Sequence, residues 1–177
     1  MAHSEIFHGT RQRFDCFDVT FKGTGEAGNI DACWFTDSFM GAKNHALLKN
    51  RNPGVPLVYR CELSSKSIIL DHREPLIKQP EIFERLKRDL PLGVSTSLDG
   101  RLGYESFKEP LYERYKGKML CNRHRRFEDD EVIQLYKSCG IHGIHDWEGI
   151  YTDTYLHGTT TVLFDFTELK ILEIIEV

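Results

Sequence analysis

The sequence IFHGT at residues 6–10 is the stretch from which the fold can be worked out. A short apolar run ends there in a His-Gly pair, which is typical of a strand that leads into a turn. The sequence CWFT at residues 33–36 has the same character. It precedes a helix that we expect to begin at a cap on Asp37 or Ser38 and to extend to about Leu48. The two strand ends can therefore face each other across a cleft.

The residue types at these strand ends suit a site for a flat polar ligand. Gly9 has no Cβ, so that a ring can approach its backbone, and its peptide N–H and C=O can hold a carboxamide. The imidazole of His8 and the indole of Trp34 offer a hydrogen-bond donor and a stacking surface. These groups are what a protein needs to bind the nicotinamide end of NAD.

The order of these motifs resembles the diphtheria-toxin-like branch of the ADP-ribosyltransferases, which includes the poly(ADP-ribose) polymerases and small transferase domains of polyvalent proteins. In that family, a His-Gly-Thr or His-Gly-Ser strand precedes a Gly-x-Tyr-Phe-Thr/Ala strand. A following helix carries a small residue and an aromatic one that stacks on nicotinamide. The corresponding residues of this chain are 8–10, 34–36, Ala42 and His45.

The C-terminal part of the chain continues the resemblance, with one departure. Residues 135–144 and 160–165 resemble the family's Gly-Tyr-Asp-Gly-Ile turn and final strand, but Thr160 stands where the family has a glutamate. A carboxylate there stabilises the positive charge that develops on the ribose. Three interpretations stay open: the enzyme is limited to single transfers, Glu148 or Asp153 replaces the glutamate, or the domain binds NAD without transferring ADP-ribose.

The resemblance implies an NAD-dependent mono-ADP-ribosyltransferase, a glycosyltransferase of the pentosyl-transferring class that releases nicotinamide. The catalytic positions would be His8, Trp34 and Thr160, with His8 donating a hydrogen bond to the 2′-hydroxyl of the adenine-side ribose. NAD is the substrate, and no metal is expected. The residues that would bind NAD are His8, Gly9, Thr10, Trp34, Phe35, Ala42 and His45.

Periodicity along the chain predicts an α+β fold in one domain that spans residues 1–177. The resemblance adds the expectation of two short antiparallel sheets that form an NAD cleft, with helices around them. Strands are predicted at 5–9, 33–36, 56–63, 66–70, 141–151, 159–166 and 169–176, and helices at 37–48, 79–90, 103–115 and 129–138.

A basic segment in the second half of the chain is the candidate surface for a macromolecular acceptor. It contains Lys116, Lys118, Arg123, Arg125 and Arg126, with aromatic residues among them. Basic and aromatic side chains together can hold phosphates and stack bases, which favours RNA or DNA. The alternative is a solvated surface that is balanced by the acidic run after it, and a protein acceptor stays equally open.

Composition is that of an ordinary globular domain, with 40% hydrophobic and 28% charged residues and a net charge of −4. No apolar run suggests a membrane span or a signal peptide. The five cysteines include no Cys-x-x-Cys pair, which favours reduced thiols and a cytoplasmic location.

Two alternatives to the transferase stay open. One is an RNA 2′-phosphotransferase, which shares the fold that the resemblance implies. The other is a non-catalytic module that binds NAD or nucleic acid. The resemblance also implies a role as a toxin or phage-conflict effector, for which an antitoxin or immunity protein would be the partner.

Overall fold

The computed structural model describes residues 4–19, 31–71, 73–74, 78–89, 129–146 and 157–177. Within them the chain is a mixed α+β fold, as the sequence predicts. The strands are β1 (Ser4–Thr10), β2 (Cys33–Thr36), β3 (Leu57–Leu63), β4 (Ile69–Asp71), β5 (Gly143–His145), β6 (Thr160–Leu163) and β7 (Leu169–Glu176). The helices are α1 (Phe39–Asn44), α2 (Pro80–Asp89) and α3 (Asp129–Ser138), and a π-helical turn, His45–Lys49, follows α1 directly.

The chain divides into two compact units. The first unit combines Met1–Ser67 with Thr152–Val177, and the second is Ile68–Tyr151. The candidate site residues of the two N-terminal motifs, and Thr160, all belong to the first unit. The expectation of a single domain stays a prediction.

The strands of the first unit lie side by side in the order β6-β2-β1-β3-β7, and every neighbouring pair is antiparallel. The expectation of two short antiparallel sheets that form a cleft was therefore wrong. The strands that carry His8, Trp34 and Thr160 are neighbours in one sheet, because β2 pairs with β1 on one side and with β6 on the other. Because these neighbours are antiparallel, the end of β1 lies beside the start of β2, and the end of β2 lies beside the start of β6, within one sheet.

One face of this sheet is covered by α1. Side chains alternate along β1, so that Phe7 and Gly9 point to the α1 face while His8 points to the opposite face. Phe7 and Val58 pack with Ala42 of the helix in a buried cluster that Phe39 and Val177 complete. The rings of Phe7 and Phe39 meet edge to face, with their centroids 5.8 Å apart.

The sequence also explains where α1 begins. Ser38 is its N-cap, since the Ser38 side chain accepts a hydrogen bond from the Gly41 N–H at 3.0 Å. The expected helix to about Leu48 is present, but its last turn is π-helical, with the Asn50 N–H donating to the His45 carbonyl at 2.8 Å.

In the second unit, β4 and β5 pair in parallel from Ile69 with Gly143 to Asp71 with His145. The helix α2 buries Ile82 and Leu86, as its apolar spacing predicts, and α3 buries Ile133 and Tyr136. After α3, Gly140 has a φ of +70°, the left-handed conformation that commonly ends a helix. No helix of the described segments is both long enough and apolar enough to cross a membrane.

Candidate functional site

The ladder between β1 and β2 is almost entirely open. The two strands form a single pair, Phe7 with Thr36, whereas β1 and β3 pair at seven positions along their whole length. Continuing the antiparallel register would place Gly9 opposite Trp34, but no ladder pair forms there. The two central strands are therefore unpaired in the ladder at the residues that the sequence singled out, and we call this unpaired stretch the gap.

Peptide groups line this gap from both strands. The Asp37 N–H donates to the Thr159 carbonyl at 3.3 Å, toward β6. The peptide groups of Thr36 must then face β1, which makes Phe7–Thr36 a hydrogen-bonded pair. Since peptide groups two residues apart face the same side of a strand, those of Gly9 and Trp34 also face each other across the gap. The N–H and C=O of Gly9 thus point toward β2 at a position where no ladder pair forms.

The imidazole of His8 joins β1 to β2 at the gap by a side-chain hydrogen bond. Its Nδ1–H donates to the Trp34 carbonyl, and the two atoms are 2.6 Å apart. Burial is the largest effect on the pKa of His8 and lowers it to about 4. A charge on His45 lowers this pKa further, whereas the hydrogen bond to Trp34 raises it. The ring is therefore neutral at pH 7 with its proton on Nδ1, so that Nε2 is a hydrogen-bond acceptor.

Aromatic rings surround His8 on its face of the sheet. The closest are Phe17 and Phe35, whose centroids lie 5.3 and 5.5 Å from that of the imidazole. Phe14 and Tyr59 lie at 6.3 and 6.4 Å. Tyr59 occupies this place because it pairs with His8 between β3 and β1. Sequence reasoning assigned no functional role to Phe14, Phe17 or Tyr59, because the pairing of β1 with β3 cannot be read from either strand alone.

Gly9 has a packing role that needs no ligand. A Cβ at this position would overlap the Ala42 carbonyl, lying 2.8 Å from its carbon and 3.1 Å from the nitrogen of Ala46. The helix backbone therefore occupies the space that the sequence assigned to a ligand ring. Ala42 is fully buried beneath it, and Thr10 is buried at the end of β1.

The structure brings some of the expected NAD-binding residues together and separates others. Trp34, which is half-buried, lies on the α1 face with Gly9, whereas Phe35 is buried on the His8 face. The indole of Trp34 and the imidazole of His8 thus leave the sheet on opposite faces and cannot flank one ring from two sides. His45 lies in the π-helical turn, half-buried, and close enough to His8 to affect its pKa.

Arg11 links the end of β1 to this turn, and sequence reasoning did not select it. Its Nε–H donates to the Ala46 carbonyl at 2.9 Å, and Nη2 donates to the Leu47 carbonyl at 3.1 Å. A longer bond from Nη1 reaches the carbonyl of Gly54 at 3.5 Å. One guanidinium therefore caps carbonyls of the turn that carries His45, an interaction that links residues more than thirty positions apart.

Thr160 begins β6 and pairs with Thr36, on the same face as Trp34. Its hydroxyl oxygen is buried and has no hydrogen-bond partner in the described part of the chain. The turn before it is held to the start of α1, since the Thr36 hydroxyl donates to the His157 carbonyl and the Thr159 N–H donates to Asp37 at 2.8 Å. A polar side chain with unused bonding capacity is thus fixed beside the end of β2.

Other predicted residues fall outside the described segments. These are the two carboxylates considered as substitutes at the Thr160 position, and the whole basic segment: Glu148, Asp153, Lys116, Lys118, Arg123, Arg125 and Arg126. Residues 4–19, 31–71, 73–74, 78–89, 129–146 and 157–177 contain no cluster of three or more His, Cys, Asp or Glu that could hold a metal ion. Burial raises the pKa of the Cys33 thiol, next to Trp34, to about 12, which makes it a poor nucleophile.

Comparison with known proteins adds no relative: no family model, no curated protein and no solved structure matches this chain.

Proposed function

We propose that this protein is an NAD-dependent mono-ADP-ribosyltransferase. The observation that carries the proposal is the gap between β1 and β2, where the peptide groups of Gly9 face the Trp34 carbonyl without forming a ladder pair. A carboxamide has one donor and one acceptor side, as a strand's peptide group does. In this proposal the nicotinamide amide binds to the N–H and C=O of Gly9, which form no ladder pair with Trp34.

His8 would act in this proposal as a neutral acceptor. Its Nδ1–H is used by the Trp34 carbonyl, so that Nε2 is the atom left for a ligand. A ribose hydroxyl can donate to Nε2, which reverses the direction of the hydrogen bond expected from the sequence. The hydrogen bond to Trp34 also ties the imidazole of His8, which would hold the ribose, to strand β2.

Thr160 supports a limited chemistry. A hydroxyl cannot supply the charge with which a carboxylate stabilises an oxocarbenium-like transition state. Rate enhancement would then come mostly from positioning the ribose and the nucleophile, which suits one transfer and not chain elongation. The acceptor would be a nucleic acid or a protein. A toxin or phage-conflict role with an antitoxin partner is the part of the proposal that rests on the family resemblance alone, and the cytoplasmic location rests on the pattern of cysteines.

The experiment measures nicotinamide release from NAD by the purified protein and by two variants. His8→Ala removes the ring that lines the gap and should abolish release. His142→Ala is the matched control, since its imidazole also bonds a backbone group, accepting from the Ile68 N–H at 3.0 Å, but in the second unit. Wild-type release by His8→Ala would contradict the assignment of the site.

The acceptor is identified with NAD labelled on the adenylate phosphate, in a cell lysate that is divided after the reaction. Label lost only on nuclease treatment identifies a nucleic acid, and label lost only on protease treatment identifies a protein. If NAD binds without nicotinamide release or labelling, the non-catalytic module replaces the transferase. If NAD does not bind at all, turnover of 2′-phosphorylated RNA tests the phosphotransferase.

A further inference from the structure

Residues 12–18, here called the aromatic strap, follow β1 directly and form neither a helix nor a strand. The strap lays two phenylalanine rings over the imidazole of His8, with Phe17 edge to face at 5.3 Å and Phe14 tilted at 6.3 Å. Phe17 also packs on Phe35 at 4.9 Å. Between these two rings, Asp15 and Cys16 are exposed. A segment without regular structure therefore covers the one side chain that fastens the gap.

The Tyr59 hydroxyl makes two hydrogen bonds between the sheet and the strap, beside an exposed ion pair from Arg13 to Glu176 at 3.5 Å. The Phe14 N–H donates to the Tyr59 hydroxyl oxygen at 2.7 Å, and the same hydroxyl donates to the Phe14 carbonyl at 2.9 Å. The two rings are stacked, with centroids 4.4 Å apart and an angle of 9° between them. Burial raises the pKa of Tyr59, so that its hydroxyl keeps its proton at neutral pH and remains a donor.

The strap, unlike the strands beneath it, is held without ladder hydrogen bonds. Tyr59 belongs to a central strand that is paired on both sides, whereas the strap has no ladder of its own. Releasing the strap would break, among other contacts, these two hydrogen bonds, the exposed Arg13–Glu176 ion pair and the ring contacts of Phe14 and Phe17, but no pair of the strand ladders. Segments with few backbone hydrogen bonds to their surroundings open at low free-energy cost.

We infer that the aromatic strap is a gate over His8, closed by the Tyr59 hydroxyl, and that a ligand reaches the imidazole Nε2 when Phe14 and Phe17 swing away. The gate regulates access to the site described above, and its relevance to NAD rests on the proposed function. Opening and closing of the strap is a property of the protein itself. It can be measured with or without NAD.

The test measures how fast diethyl pyrocarbonate modifies each histidine, with the modified residues identified by peptide mass spectrometry at pH 7. The reagent acylates the unprotonated imidazole nitrogen, which in His8 is Nε2. Tyr59→Phe keeps the stacked ring and removes both hydrogen bonds of the hydroxyl. Because the closed form loses two neutral hydrogen bonds in this variant, we expect His8 modification to accelerate about tenfold.

Three controls make the result specific. Phe17→Ala, which removes a covering ring and leaves the Tyr59 clasp in place, should also accelerate modification of His8. Cys16→Ser changes an exposed strap residue and should leave the rate unchanged. His142, in the second unit, should react at the same rate in every variant. A parallel increase at His142 in Tyr59→Phe would identify general unfolding of that variant. The rate of His8 modification in Phe17→Ala would then decide whether the strap is a gate.

The gate is refuted if His8 reacts at the wild-type rate in both Tyr59→Phe and Phe17→Ala while their circular dichroism is native. A purely structural role for Tyr59 would give that result with a lowered melting temperature. The NAD measurement is separate: a working gate lowers the KM for NAD in Tyr59→Phe with little change in kcat. Faster His8 modification in a protein that does not bind NAD would support the gate and refute the proposed function.

Discussion

The substitution Gly9→Ala should destabilise the protein by about 2–3 kcal/mol, because helix α1 lies directly on β1 at this position. A Cβ there would lie 2.8 Å from the carbonyl carbon of Ala42 and would overlap its oxygen, whereas ordinary contacts begin at 3.4 Å. The obstacle is helix backbone, which cannot rotate aside as a side chain can. α1 must therefore move away from the sheet as a whole, and the buried cluster of Phe7 and Val58 loosens with it. This cost exceeds the stabilisation of about 0.4–1 kcal/mol that alanine gives by restricting the unfolded chain.

The assay is urea unfolding followed by far-UV circular dichroism, with Gly140→Ala as the matched control. Gly140 has a φ of +70°, but its added Cβ would meet only the flexible end of Arg85, at 2.7 Å. That variant should lose about 1–2 kcal/mol from backbone strain alone. The reasoning is refuted if Gly9→Ala unfolds at the wild-type urea concentration or is more stable than Gly140→Ala. Since α1 carries Ala42 and leads into His45, Gly9→Ala should also lose nicotinamide release, which Gly140→Ala should retain.

Three further predictions concern stability. Burial lowers the pKa of His8 in the folded state to about 4, below its ordinary 6.5, so that the unfolded state binds more protons between these two pH values. The free energy of unfolding should therefore be highest above pH 6.5 and fall by up to about 3 kcal/mol toward pH 4. Urea unfolding at several pH values should show this slope in the wild type and not in His8→Gln. Thr160→Val removes a buried hydroxyl that has no hydrogen-bond partner among the described residues, so its melting temperature should stay equal or rise. A clear fall would mean that the hydroxyl is satisfied in solution. Arg11→Ala removes the hydrogen bonds to the π-helical turn and should lower the free energy of unfolding by about 1–3 kcal/mol, with Arg11→Lys intermediate. An unchanged melting temperature in thermal unfolding would show that these bonds contribute nothing.

Strands and helices whose formation depends on residues close together in the sequence could be predicted from it. The predicted strand 33–36 coincides with β2, and the alternation across 56–63 gives β3 to within one residue. The helical spacing in 79–90 gives α2 in the same way. A period of 2 or 3.6 in apolar residues directly records which side of an element is buried, and no knowledge of its partner is needed.

Relations between distant segments could not be predicted in this way. The strands with His8 and Trp34 were expected to face each other from two sheets, but they are neighbours in one. Either arrangement satisfies the same apolar pattern, because pairing and register depend on contacts between segments far apart in sequence. The π-helical turn was equally hidden: its sequence HALLK is suited to an ordinary α-helix, and the capping Arg11 lies more than thirty residues earlier.

The candidate site combines both kinds of outcome. The sequence singled out Gly9 for the approach of a ligand ring and Ala42 through the resemblance, whereas the packing of the two against each other was found only in the structure. The gap between β1 and β2 is a property of backbone pairing, which side-chain patterns do not record. The direction of the His8 hydrogen bond also depended on the structure, since only the position of the Trp34 carbonyl decides which ring nitrogen carries the proton.

The strand order also has a consequence for synthesis on the ribosome. The central strands β2, β1 and β3 are complete once residue 63 has been made, but their outer partners β6 and β7 follow about a hundred residues later. At bacterial-to-eukaryotic translation speeds, this interval lasts on the order of 5–20 seconds. Until then, β2 and β3 can each pair only on the side of β1, and their outer edges are templates for association with other chains. Yield of the native protein should therefore depend on translation speed and on chaperones that protect the growing chain.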